Sequence, residues 1–223
     1  MRVRAVLLSA RLSVESEHTK VGVHGIGMTD SSMDFQFHCG GHTVAKKGRK
    51  LDLSELGEAP GLPGLTPEMG RCYANAAGVC SEANRHKQGV ELRVQVGIAE
   101  RRYTLNWPQV TVQIRRTHAD LQDATADGAY AIAIMLAREI TGCTVVEQAW
   151  KGTGIDYWLA ESEDEMFQGA RLEVSGILRG DNRDVARRIA SKLAQISQSD
   201  DSGLPAYVCV VEFSEPEAHF RKQ

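Results

Sequence analysis

Two carboxylates set the chemical question. Asp156 stands in Trp150-Lys-Gly-Thr-Gly-Ile-Asp156-Tyr-Trp-Leu at the start of an expected strand, and Glu173 lies inside the next, in Arg171-Leu-Glu173-Val-Ser175-Gly-Ile. Acids delivered by neighbouring strands suit a hard divalent cation, Mg2+ or Mn2+, which takes one or two carboxylates and leaves its other positions to water and phosphate oxygens. Such an ion can activate an attacking water, so phosphodiester hydrolysis of the nuclease type is the chemistry these residues allow. Side chains alternate along a strand, so Glu173 and Ser175 share one face while Leu172 and Val174 take the other. In an antiparallel hairpin Asp156 and Glu173 would converge at one end, where two negative charges repel unless a cation joins them.

The elements that must position these acids are legible from Ala119 onward. Asp120 and Asp123 open a long apolar helix carrying Leu121, Ala124, Tyr130, Ile132, Ile134, Met135, Leu136 and Ile140, and Gly142 closes it. Then follow strand Thr144–Trp150, turn Lys151–Gly154, strand Ile155–Ala160, an acidic loop Glu161–Glu165 and strand Arg171–Leu178. A second helix, Arg183–Ile196, is begun by Asp181 or Asn182 and buries Val185, Ile189, Leu193 and Ile196; strand Ala206–Phe213 closes the series. On that helix Arg183, Arg187, Arg188 and Lys192 are candidates for nucleic-acid contact, with Arg188 and Lys192 at i, i+4 spacing. The competing reading is a solvated helix face, since the residues from Val112 onward carry 12 Lys+Arg against 18 Asp+Glu.

The order helix, strand, strand, strand, helix, strand, with Asp156 opening the second strand and Glu173 inside the third, resembles the PD-(D/E)XK restriction-endonuclease-like superfamily. The resemblance covers roughly Ala119 to Phe213, about half the chain. It implies Asp156 and Glu173 as metal ligands, Glu139 on the first long helix as the additional helical acid some members use, and Mg2+ or Mn2+ as cofactor. Members usually carry Lys where this chain has Ser175, and a hydroxyl cannot supply the cation that orients water and offsets phosphorane charge. Lys151, in the turn before Asp156, is the candidate substitute for that catalytic charge. The resemblance implies a metal-dependent nuclease acting on DNA within a defence or repair assembly; the alternative is a catalytically inactive nuclease-fold subunit serving as a binding or scaffold module in a multisubunit complex, with a protein partner.

The first half reads differently. Val3–Val14 and Met33–Cys39 are expected strands, with Gly25-Ile-Gly27 a tight turn lacking the third glycine of a dinucleotide fingerprint. The basic run Lys46–Lys50 could contact nucleic acid or a membrane surface, but without interleaved aromatics a solvated hairpin tip is the favoured expectation. Glu68–Lys87 is expected as a helix, Val90–Ile98 as a half-buried strand by its alternation, and Tyr103–Trp107 and Val110–Ile114 as strands interrupted by Pro108. The expectation is a mixed α/β protein, with a β-rich module over residues 1–112 and an αβββαβ core over 113–223.

Composition narrows the rest. With 42% hydrophobic and 25% charged residues the 223-residue chain has the make-up of a folded protein, which sets disorder aside. No apolar run is long enough to cross a bilayer, and the short apolar stretch after Met1 is interrupted by Arg11, so a cytoplasmic location and no membrane partner are expected. Five cysteines at irregular spacing argue against a disulfide framework. His38, His42, Cys39, Cys72 and Cys80 offer zinc ligands without a CxxC pair, against the plainer expectation of reduced, metal-free thiols.

Overall fold

The computed structural model describes residues 48–161, 168–198 and 203–223. The chain divides into two units, Met1–Val44 and Ala45–Gln223. The strands expected at Val3–Val14 and Met33–Cys39, the Gly25-Ile-Gly27 turn, His38, Cys39 and His42, Lys46 and Lys47, and nearly all of the acidic loop lie outside the described residues.

The second unit runs β1 (Arg49–Asp52), a 3-10 turn (Leu53–Gly57), α1 (Pro67–Ala83), β2 (Val90–Val96), β3 (Ala99–Asn106), α2 (Val112–Thr117), α3 (Leu121–Thr141), β4 (Thr144–Gln148), β5 (Tyr157–Ala160), β6 (Ala170–Ile177), α4 (Asn182–Gln198), β7 (Ala206–Glu212) and β8 (Glu217–Lys222). These strands form one eight-stranded mixed sheet in the order β1-β3-β2-β8-β7-β6-β5-β4. β4, β5 and β6 are successive antiparallel neighbours, and α4 carries the chain across to β7, parallel to β6.

Strand alternation assigns the two faces. On β7, Cys209 and Val211 join the larger core, which also takes Tyr73 and Ala77 of α1 and Ile132 and Leu136 of α3. Val208 and Val210, pointing the other way, pack with Val185 and Ile196 of α4 and with Ile155 and Ile177. Each fully buried Leu or Ile in these layers contributes about 1.5–3 kcal/mol.

Helix ends follow local chemistry. Asp120 accepts from Gln122 N at the start of α3, and Gly142 ends it with φ 76°, a left-handed conformation that glycine adopts without a Cβ clash. Asp181 accepts from the N–H groups of Arg183 and Asp184 while Asp184 accepts from Asp181 N, a reciprocal cap that starts α4. The segment Val110–Ile114, expected as a strand, instead leads into helix α2, because the Thr111 hydroxyl accepts from Ile114 N at 3.2 Å and caps it.

The boundary expected at residue 112 is not a break in the sheet. β8, absent from the expected elements, pairs antiparallel with β7 and parallel with β2, joining the early and late strands. Phe220 of β8 is buried, with its ring 5.4 Å from that of Tyr207. Phe220→Ala is expected to cost about 3–5 kcal/mol. Chemical denaturation should show the loss in one cooperative transition; two separate transitions would mean that β8 does not unite the sheet. Among the described residues no helix is long and apolar enough to cross a membrane.

Candidate functional site

Asp156 is placed by a hairpin. Ala149 N donates to Asp156 O at 2.8 Å, closing a turn in which Thr153 bonds back to Trp150 O and Gly152 and Gly154 adopt φ 99° and 75°. Asp156 N donates to Leu172 O, and the register Tyr157↔Leu172 sets Asp156 opposite Glu173 on the neighbouring strand. The Asp156 carboxylate is anchored at both oxygens: Oδ2 accepts from Val174 N at 2.7 Å and Oδ1 from Tyr130 OH at 2.9 Å.

Tyr130 comes from the middle of α3. Its ring lies 5.3 Å from Tyr73 and packs edge-on to Tyr157 at 5.5 Å, while the Tyr73 and Tyr157 hydroxyls are 2.9 Å apart. Burial, with the nearby Asp156 charge, pushes the Tyr130 phenol up, so it stays protonated and donates. Tyr130→Phe removes one donor to a carboxylate and is expected to lower stability by about 1–2 kcal/mol, read by thermal unfolding. An unchanged midpoint would show that Val174 N alone holds Asp156.

Glu173 is 2% exposed. Its Oε1 accepts from Lys192 Nζ and, at 3.1 Å, from Gln195 Nε2, both on α4. The strand register sets Glu173 opposite Asp156. Burial and the Asp156 charge push Glu173 up to about 7, against the pull of Lys192 in the other direction. The register thus sets the two acids opposite each other at neighbouring antiparallel strands, with Tyr130 of α3 bonded to Asp156 and Lys192 of α4 to Glu173.

The other expected residues are distributed unevenly. Arg188 donates to Ser175 Oγ at 2.6 Å, so Ser175 positions a cation instead of replacing one. Arg183 is exposed and Arg187 pairs with Asp184 on the outer side of α4. Lys151 is exposed in the hairpin turn, and the ammonium that reaches Glu173 belongs to Lys192. Glu139 does not join the acids: it pairs with Arg49 at 3.8 Å, nine residues beyond Tyr130 and so about 13 Å further along α3.

Lys192, Gln195 and Tyr130 are the site residues that sequence reasoning missed in these roles. A signal for Lys192 was present. Four helical residues advance about 6 Å and two strand residues about 6.6 Å, so Arg188 and Lys192 can ride in step over Ser175 and Glu173. Next to this ladder, a cleft of about 580 Å³ opens between α3, β6 and α4, with Thr125, Tyr130, Val174, Ser175 and Arg188 in its walls.

Among the described residues no three His, Cys, Asp or Glu side chains gather as a metal cage. Cys80 is buried against Thr125, and that burial pushes its thiol up to about 11. No protein-family model matches the chain, and no curated protein and no solved structure matches it.

Proposed function

We propose that this chain is a metal-dependent phosphodiesterase acting on DNA, with a core of the PD-(D/E)XK type in which Lys192 takes the part of the lysine that Ser175 replaces. The observation that supports it is the placing of two carboxylates, the half-buried Asp156 and the buried Glu173, opposite each other on neighbouring strands, with a lysine ammonium bonded to Glu173. A donor set made only of oxygens fits Mg2+ or Mn2+. The raised proton affinity of Glu173 fits as well, because a carboxylate beside another carboxylate gains from any cation that binds both. With only two acids, the remaining coordination would come from water, backbone carbonyl and substrate phosphate.

Asp156 and Glu173 would hold the ion. When bound, it supplies Lewis acidity toward a phosphoryl oxygen and lowers the pKa of water. Tyr130 and Val174 N orient Asp156, so its position needs no rearrangement when the site is loaded. Lys192 keeps a positive charge at the acids and offsets negative charge developing on phosphate. Arg188, held by Ser175, offers a second cation for a neighbouring phosphate.

Calorimetric titration with Mn2+ tests the reading before any activity is sought. Binding by the intact chain, lost in Asp156→Asn, is the expected result. A second reading, a catalytically inactive scaffold subunit, is favoured by the internal satisfaction of Glu173 by Lys192 and Gln195. No Mn2+ binding by the intact chain would select it.

A further inference from the structure

We infer that the strand engaged at this site is unpaired, with a base stacked on Trp150 and the adjoining phosphates carried by Lys151 and Arg188. The inference rests on the nucleic-acid reading of the acids and names the substrate class within it.

Three side chains on one stripe of α4 define a track. Arg188, Lys192 and Gln195, at i, i+4 and i+7, bond in turn to Ser175 Oγ, Glu173 Oε1 and, through the Gln195 amide, both Glu173 Oε1 and Gly154 O at 3.3 Å. Gln195 thereby ties the hairpin turn to the acids. That turn carries Trp150 and Lys151 at its start. At the other end of the stripe Arg188 borders the cleft of about 580 Å³, a volume ample for a nucleotide.

Trp150 is 79% exposed. A single exposed apolar residue is ordinary on a protein surface, but here it precedes Lys151 in sequence, in a turn that Gln195 ties to Glu173. An indole next to a cation is the equipment for stacking a base and holding its phosphate, and only an unstacked base can use it. Burial points the same way. Glu173 is almost fully covered and Lys192 lies over it, so a stiff duplex, whose bases are stacked inside, has less access than a strand whose nucleotides can splay. The cleft's Leu121, Val174 and Ile177 add an apolar wall for a second base.

The test uses the full chain and fluorescence anisotropy in chelator, with labelled oligothymidine and the blunt duplex it forms with oligoadenosine, alongside cleavage of both in Mn2+. Oligothymidine should bind on the order of tenfold more tightly than the duplex. Trp150→Ala should lose roughly tenfold for oligothymidine while Trp150→Phe retains most of the affinity, and neither should move the thermal midpoint. Arg188→Ala should weaken binding and lower the salt dependence by about one phosphate contact. Equal or tighter duplex binding, or an indifferent Trp150→Ala, overturns the inference; if the duplex is nonetheless cleaved in Mn2+, the nuclease reading stands without it. Trp150-dependent binding of oligothymidine with no cleavage by the intact chain upholds the strand preference and removes hydrolysis.

Discussion

In Mg2+ or Mn2+, Asp156→Ala and Glu173→Ala are expected to lower DNA cleavage by orders of magnitude, and Lys192→Met by roughly a hundred- to a thousandfold. The acids set the larger loss because each is one of only two carboxylates available to the ion. The lysine value is that of one preorganised charge, about 2–4 kcal/mol of transition-state stabilisation. Lys151→Ala, in the exposed turn, should weaken binding of the strand but change the cleavage rate at saturating strand little, and that contrast identifies which lysine serves the acids. Lys192→Met carries a second signature. Lys192 pulls the Glu173 proton affinity down, so its loss should shift the rate–pH profile at subsaturating metal upward, because protons then compete with the ion for Glu173 at higher pH. Lys192→Arg should restore part of both. Cleavage by Lys192→Met at the rate of the unaltered chain, with an unmoved profile, would remove Lys192 from the mechanism.

The second large effect is on stability. Glu173 has its proton affinity raised from 4.5 to about 7 in the folded chain, chiefly by burial and then by the Asp156 charge. Between those values the folded state keeps a proton that the unfolded chain has released, so stability falls as pH rises through this window and levels off above it. The difference amounts to at most about 3 kcal/mol, since Asp156 shares in the titration. Glu173→Gln removes the titration. In chelator it should match the unaltered chain near pH 4 and exceed it near pH 8 by up to about 3 kcal/mol, as read by urea denaturation at each pH. Mn2+ should close that gap by stabilising the unaltered chain and not the variant. A flat stability profile across the window would mean that Lys192 and Gln195 fully offset the burial of the carboxylate. A site that is less stable empty than its amide variant is the expected signature of acids kept for binding a cation.

The sequence by itself determined the elements from α3 to β7 and most of their local ends. Asp120 and Gly142 bracket α3, Asp181 starts α4, and the glycine-rich turn brings Asp156 opposite Glu173, because capping, turn geometry and strand alternation act over a few residues. Val110–Ile114 failed for the same kind of reason, since one capping hydroxyl outweighed a β-branched run. Tertiary structure alone decided which side chains meet those acids. Lys192 lies 19 residues from Glu173 and Tyr130 26 from Asp156. Sequence proximity favoured Lys151, whereas the packing of Val185 and Ile196 against Val208 and Val210 sets α4 over β6 and brings Lys192 to Glu173. Glu139 shares a helix with Tyr130, but the bond that fixes α3 at the site is made by Tyr130, leaving Glu139 with Arg49. The β2–β8 pairing, which joins early and late strands into one sheet, is likewise a choice between distant segments, made by burying Ala218 and Phe220 and legible in neither strand alone.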